Sequence, residues 1–162
     1  MAWRRLRHTS QARLAGFELP NPFSVKALCE QISCSRHRKL HLHPLPFAAS
    51  PDLPCGVWIA LDDSDHVFYA NGASALHQQN IILHELGHLL CDHKTDASLF
   101  GDLDPDVVRR ILMRTRYSTP QEEEAEMVAA LILERAGWVA PEPPPTETLG
   151  NLAAVFDVDR RP

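Results

Sequence analysis

The apolar positions of this chain change their period along its length. After Asn21-Pro22-Phe23-Ser24, which reads as a turn and cap, Val25, Leu28 and Ile32 recur at helical spacing and predict a helix from Ser24 to about Cys34. Leu40-His41-Leu42-His43-Pro44-Leu45 then alternates with period two, as a strand does, and puts His41 and His43 on one face. Pro44, Pro46, Pro51 and Pro54 mark a loop. Gly56-Val57-Trp58-Ile59-Ala60-Leu61 is the strongest strand, Asp62-Asp63-Ser64-Asp65 is turn chemistry, and His66-Val67-Phe68-Tyr69-Ala70 is a third strand, paired as a hairpin. Helical spacing returns with Ile82, Leu86 and Leu89, flanked by Leu83, Gly87 and Leu90, and neither Gly nor Pro interrupts Ala75 to Leu86. Asp104-Pro105-Asp106 opens another helix, with Val107, Val108, Ile111 and Leu112 facing inward. Ser118-Thr119-Pro120 opens a last long one, Gln121 to about Ala136, with Ala125, Val128, Ala129, Ile132 and Leu133 along its inner stripe and Gly137 at its end.

Three short strands leading into helices predict an α+β fold, a small three-stranded sheet packed on the helix of Ile82 to Leu90 and on further helices. The chain of 162 residues suits one domain, residues 1–140, followed by a Pro-rich tail, 141–162. Pro141 to Pro145 reads as a stiff extended segment, and residues 149–156 as a short terminal turn or helix. Residues 1–20 carry Arg4, Arg5, Arg7 and Arg13 among Trp3, Leu6, Leu14 and Phe17, which suits a short amphipathic helix better than a nucleic-acid arm. A net charge of -5 gives no reason to expect nucleic acid as a partner. Cys29, Cys34, Cys55 and Cys91 form no C-x-x-C pair, and the N-terminus has no run of signal-peptide type. Reduced thiols, a cytoplasmic location and no membrane span are therefore expected, with Cys91 as a small apolar filler.

His84-Glu85-Leu86-Gly87-His88 spells H-E-x-x-H. On a helix, His84 and His88 project from the same face, and two such imidazoles can bind one Zn²⁺ at about 2.0–2.1 Å each. Glu85 beside them suits the general base that takes a proton from water at the metal. The alternative is a chance match in an ordinary buried helix. Gly87 costs about 1 kcal/mol against Ala in a helix interior, so its presence suggests close backbone packing there. His41 and His43 offer a conceivable second metal site, but two histidines on a strand are more often solvent-facing.

Two histidines and a water leave a catalytic zinc one protein ligand short. A further His in the pattern H-E-x-x-H-x-x-G-x-x-H fails here: Cys91 stands at the Gly position, Lys94 at the His position, and His93 is one residue out of place. The acidic run Glu122-Glu123-Glu124-Ala125-Glu126 is the other source. Glu122 and Glu126 flank the inner stripe, four residues apart, and Glu123 and Glu124 turn to the sides. Glu122 is the favoured ligand, with Glu126 and Glu124 as alternatives. The other carboxylate of the pair would hold the N–H of a ligand histidine. A capping box, Thr119-x-x-Glu122, is the competing role for Glu122. Tyr69, Tyr117, His77 and His93 are candidates to stabilise an oxyanion. The strand at His66 to Ala70 offers an edge for an extended substrate.

The H-E-L-G-H motif of His84–His88, followed by Glu122-x-x-Ala125 and the run Val128-Ala129-Ala130-Leu131-Ile132, resembles the ImmA/IrrE family of zinc metallopeptidases. The resemblance spans residues 20–136 in layout, and its specific content is the two motifs. It implies a thermolysin-like core with one Zn²⁺ held by His84, His88 and Glu122, and Glu85 as the catalytic carboxylate. The chain departs from the family pattern at Glu126, at Val128 and at Glu134-Arg135. The resemblance also implies peptide hydrolysis, commonly a regulatory cut in a co-encoded helix-turn-helix repressor. A non-catalytic zinc protein that binds such a repressor is the second expectation.

Overall fold

The computed structural model describes residues 2–94 and 103–137. Among these residues, five helices and three strands form a mixed α+β arrangement, the strands grouped between two helices and three: α1 (Ala2–Arg13), α2 (Val25–Arg36), β1 (Lys39–Pro44), β2 (Gly56–Ala60), β3 (Ser64–Tyr69), α3 (Ala75–Leu90), α4 (Pro105–Arg114) and α5 (Thr119–Arg135). The Pro-rich tail, with its expected extended segment and terminal helix, lies outside the described residues, as does the stretch around Gly101.

Local chemistry sets the helix starts. Ser24 Oγ accepts from the N–H of Ala27, Ser74 Oγ from His77 and Asp104 Oδ1 from Val107, each satisfying a backbone donor the helix itself leaves unpaired. The expected capping box at Thr119 and Glu122 does not form. Gln121 takes that place, its Oε1 accepting from the N–H and hydroxyl of Ser118. The helix begins one residue earlier than the Thr119 box requires, and this leaves the Glu122 side chain free of the cap.

The sheet order is β1-β3-β2. β2 and β3 form the expected antiparallel hairpin, while β1 runs parallel to β3 with His41 opposite His66. β3 is therefore central. The expectation that it offers a free edge is wrong; among the described residues the edges belong to β1 and β2. The turn read at Asp62–Asp65 is also shorter than expected, because Ser64 and Asp65 already belong to β3. Asp65 is buried and accepts from Trp58 Nε1 at 3.0 Å and Arg38 Nε at 3.1 Å. Arg38 also donates to the carbonyls of Asp62 and Ser64, which holds the hairpin turn.

Alternation along β2 feeds two apolar layers. Trp58 joins Val67, Leu28, Ile32, Leu83, Leu86, Val128 and Ile132 on the side of α3 and α5. Val57 and Ile59 join Phe68, Val108, Ile111 and Leu112 on the side of α4. Layers cover both faces at β2, which is buried on both. Leu14, just past the end of α1, lies in the core, and the arginines of α1 meet α5: Arg7 pairs with Glu134 at 2.7 Å and Arg13 with Glu124 at 2.8 Å. Among the described residues no helix is long and apolar enough to cross a membrane.

Candidate metal centre

Where α3 and α5 touch, the sequence has Gly87 against Ala125. A Cβ built on Gly87 would lie 2.5 Å from the Ala125 carbonyl oxygen, so only glycine permits this approach. Glu122 is one turn before Ala125, and His84 and His88 bracket Gly87. The contact thus brings one carboxylate over two imidazoles.

His84 Nε2 and His88 Nε2 lie 3.0 Å apart, and Glu122 Oε2 lies 3.0 Å from the first and 3.7 Å from the second. Ligand atoms on a tetrahedral ion with bonds of about 2.0–2.1 Å would stand roughly 3.3 Å from one another. The three observed separations bracket that spacing, and the donor set of two nitrogens and one oxygen suits zinc. His88 is fully buried, and burial with the nearby imidazoles of His84 and His93 pushes its pKa down to about 3, leaving the neutral ring that a metal needs.

Glu85 follows His84 on α3 and lines the same cleft of about 580 Å³. Its Oε2 has no hydrogen-bond partner. Burial, then the charge of Glu122, raises its pKa to about 8, against a backbone hydrogen bond from Trp58 that lowers it. Gly56 at the start of β2 makes this burial possible: a Cβ there would meet Ile81 at 2.7 Å and Glu85 Cγ at 3.1 Å. Tyr117 precedes α5 and stacks on the His88 ring, centroids 3.7 Å apart. Its hydroxyl is buried without a partner, and burial followed by the charges of Glu85 and Glu122 raises its pKa.

Of the four candidate oxyanion stabilisers, Tyr117 and His77 line the cleft. Tyr69 does not; it sits in a separate groove with Phe23 and Ile82. His93 does not either. It lies behind His88, its Nδ1 3.0 Å from His88 Nδ1 and its Nε2 3.0 Å from Glu124 Oε2. The four glutamates of the acidic run at the start of α5 separate accordingly. Glu122 faces the histidines, Glu126 is exposed at the cleft rim, Glu123 is exposed, and Glu124 lies on the far side. The packing brings Glu122, not the alternatives Glu126 or Glu124, to His84 and His88, and the carboxylate that reaches the back of His88 through His93 is Glu124, not Glu126. Gly56, Thr115 and Arg116 also line the cleft, and the sequence alone gave no signal for the last two.

Among the described residues a second cluster, Cys91, His93 and Glu124, also has donor atoms close enough together to hold a metal ion. Cys91 is a free, buried thiol pushed up to about 12, chiefly by burial. His41, His43 and His66 do not converge on a point. Their rings stack, with His43 Nε2 3.0 Å from His66 Nδ1 and Phe68 beneath His43. No protein-family model, curated protein or solved structure matches the chain.

Proposed function

We propose that the chain is a zinc-dependent endopeptidase of the ImmA/IrrE kind, with a thermolysin-like core, acting in the cytoplasm on a helix-turn-helix repressor encoded beside it. The observation that carries this reading is the meeting of His84 Nε2, His88 Nε2 and Glu122 Oε2 within 3.0–3.7 Å, beside a buried carboxylate whose Oε2 has no partner. When bound, zinc supplies Lewis acidity, polarising a carbonyl and bringing the pKa of water toward ~7. Glu85 takes a proton at its free oxygen and returns it to the leaving amine; a carboxylate whose basicity burial has raised suits both steps near neutral pH. The Tyr117 hydroxyl, which keeps its proton, is placed to donate to a developing oxyanion. β2 is an edge strand, and its first residue, Gly56, lines the cleft beside Glu85. An extended peptide added along that edge runs past the carboxylate. The repressor as substrate comes from the sequence resemblance, and a small domain that docks one folded partner would cut it at an exposed linker.

Two measurements test the reading. The purified full-length chain should hold close to one zinc per molecule, and binding of no divalent metal would end the metallopeptidase reading. Intact-mass spectrometry of the chain co-expressed with the neighbouring helix-turn-helix protein should show one discrete cut, absent with Glu85→Gln. Identical intact masses in a tight complex would support the non-catalytic binding protein instead.

A further inference from the structure

Helix α3 ends in a closure that the metal site does not require. Asp92 takes a left-handed φ of 58°, a conformation Asp tolerates better than most residues. Its N–H reaches the carbonyl of Leu89 at 3.1 Å, and the N–H of His93 reaches that of His88 at 2.9 Å. This is the Schellman pattern, in which the residue two past the cap folds back on the residue three before it. An apolar contact commonly joins those two positions. Here they are His93 and His88.

We propose that His93 and Glu124 are positioning residues for His88, forming a directed hydrogen-bond relay that fixes its tautomer and ring plane so that a bare Nε2 faces the metal. The inference rests on the zinc reading of the centre. Its direction follows from the donor and acceptor inventory when His93 carries a single ring hydrogen. Glu124 receives Arg13 Nε on Oε1 at 2.8 Å, and its Oε2 lies 3.0 Å from His93 Nε2. A carboxylate held by a guanidinium accepts and does not donate, so His93 Nε2 bears the hydrogen. With its one ring hydrogen on Nε2, His93 offers a lone pair at Nδ1. That atom faces His88 Nδ1 at 3.0 Å, so His88 Nδ1 donates. His88 is left with its lone pair on Nε2, the atom 3.0 Å from His84 Nε2 and 3.7 Å from Glu122. A doubly protonated His93 would reverse the last bond and leave an N–H pointing at the metal. His88 is 0 % and His93 7 % exposed, so water does not compete for these bonds.

α5 therefore grips the centre twice, with Glu122 in front of the imidazoles and Glu124 behind. Arg13 carries the relay to the end of α1. The same atoms are poorly suited to a second ion: Arg13 occupies one Glu124 oxygen, and His93 Nδ1 is taken by His88.

The test uses the full-length chain labelled with ¹⁵N in its imidazoles. Long-range ¹H–¹⁵N spectra of the metal-free protein should show His88 as the Nδ1–H tautomer and His93 as the Nε2–H tautomer. An Nε2–H tautomer for His88 would overturn the relay. Zinc affinity by chelator competition should fall on the order of 10–100-fold in His93→Phe and partly recover in His93→Gln, whose carbonyl can accept. If His93→Phe does not fold, Glu124→Gln should lower affinity in the same direction, and no change there would count against the relay. Zinc bound equally by wild type and a folded His93→Phe would overturn the relay alone, whereas a wild type that binds no zinc would overturn the metal reading first and the relay with it. A second equivalent of zinc in wild type, lost in His93→Phe, would replace the relay with a second metal site.

Discussion

Four glutamates on or beside the centre meet four environments, and these separate their roles. Glu85 is 5 % exposed, Glu122 faces two imidazoles, Glu124 is paired with Arg13 behind them, and Glu126 is exposed at the rim. Glu85→Gln keeps the shape and removes the base, so it should retain zinc while peptide cleavage falls by about 10²–10⁴. Glu122→Gln should weaken zinc binding severely in the same chelator competition. Glu126→Gln should leave it unchanged, since among the described residues that side chain meets no ligand histidine. His84, Glu85 and His88 could be read from sequence because their geometry is local, one helix and one spacing. The division among Glu122, Glu124 and Glu126 could not, because it depends on how α5 is rotated against α3. Neither the spacing of a third ligand, where His93 is one residue out, nor a role as oxyanion donor accounts for His93; the spacing that explains it is that of the helix C-terminal closure.

Elements were legible where their apolar period was unbroken, and their order in the sheet was not. Nothing in the alternation of Leu40–Leu45 or His66–Ala70 says that β1 pairs in parallel with β3 and makes it central. That pairing is a property of the assembled layers, in which Leu40 and Leu42 of β1 pack against the core on one face. The contact that orders α3 and α5 is Gly87 on Ala125. In Gly87→Ala the new Cβ meets a backbone oxygen at 2.5 Å, which no side-chain rotation relieves. Overpacking of this sort costs about 1–3 kcal/mol and should exceed the ~1 kcal/mol gained in helix propensity. A lower denaturant midpoint together with weaker zinc binding would show it, because Glu122 rides on α5; an unchanged midpoint would mean the helices are less tightly set. The stacked histidines on β1 and β3 make a second prediction at this level. Burial and then the charges of His43 and His41 push His66 down to about 4, with Asp65 and Asp63 opposing, and burial lowers His43 too. An unfolded His titrates near ~6.5. Between those values the unfolded chain binds the extra proton, so this contribution is whole above about 6.5 and is lost as pH falls toward 4. The thermal midpoint of wild type should therefore drop more steeply between neutral and acid pH than that of His66→Gln.

For the molecule as a whole, the centre joins elements distant in sequence. His84 and His88 come from α3 and Glu122 from α5, and Glu124 ties α5 to α1 through Arg13. An ion held by these residues binds the folded chain and finds no assembled site in the unfolded one, so its binding energy becomes folding energy. Free zinc at 100 times its dissociation constant adds about 2.7 kcal/mol. For a domain of this size that corresponds to a rise in thermal midpoint of roughly 5–10 °C. A variant whose affinity is a hundredfold weaker would, at the same zinc concentration, gain only about 0.4 kcal/mol, or roughly 1 °C. Wild type should accordingly show the large shift, reversed by a chelator, and Glu122→Gln should show almost none, with both proteins melting at similar temperatures when metal-free. An equal zinc shift in the two would mean that the ion is held elsewhere, and would remove Glu122 from the ligand set.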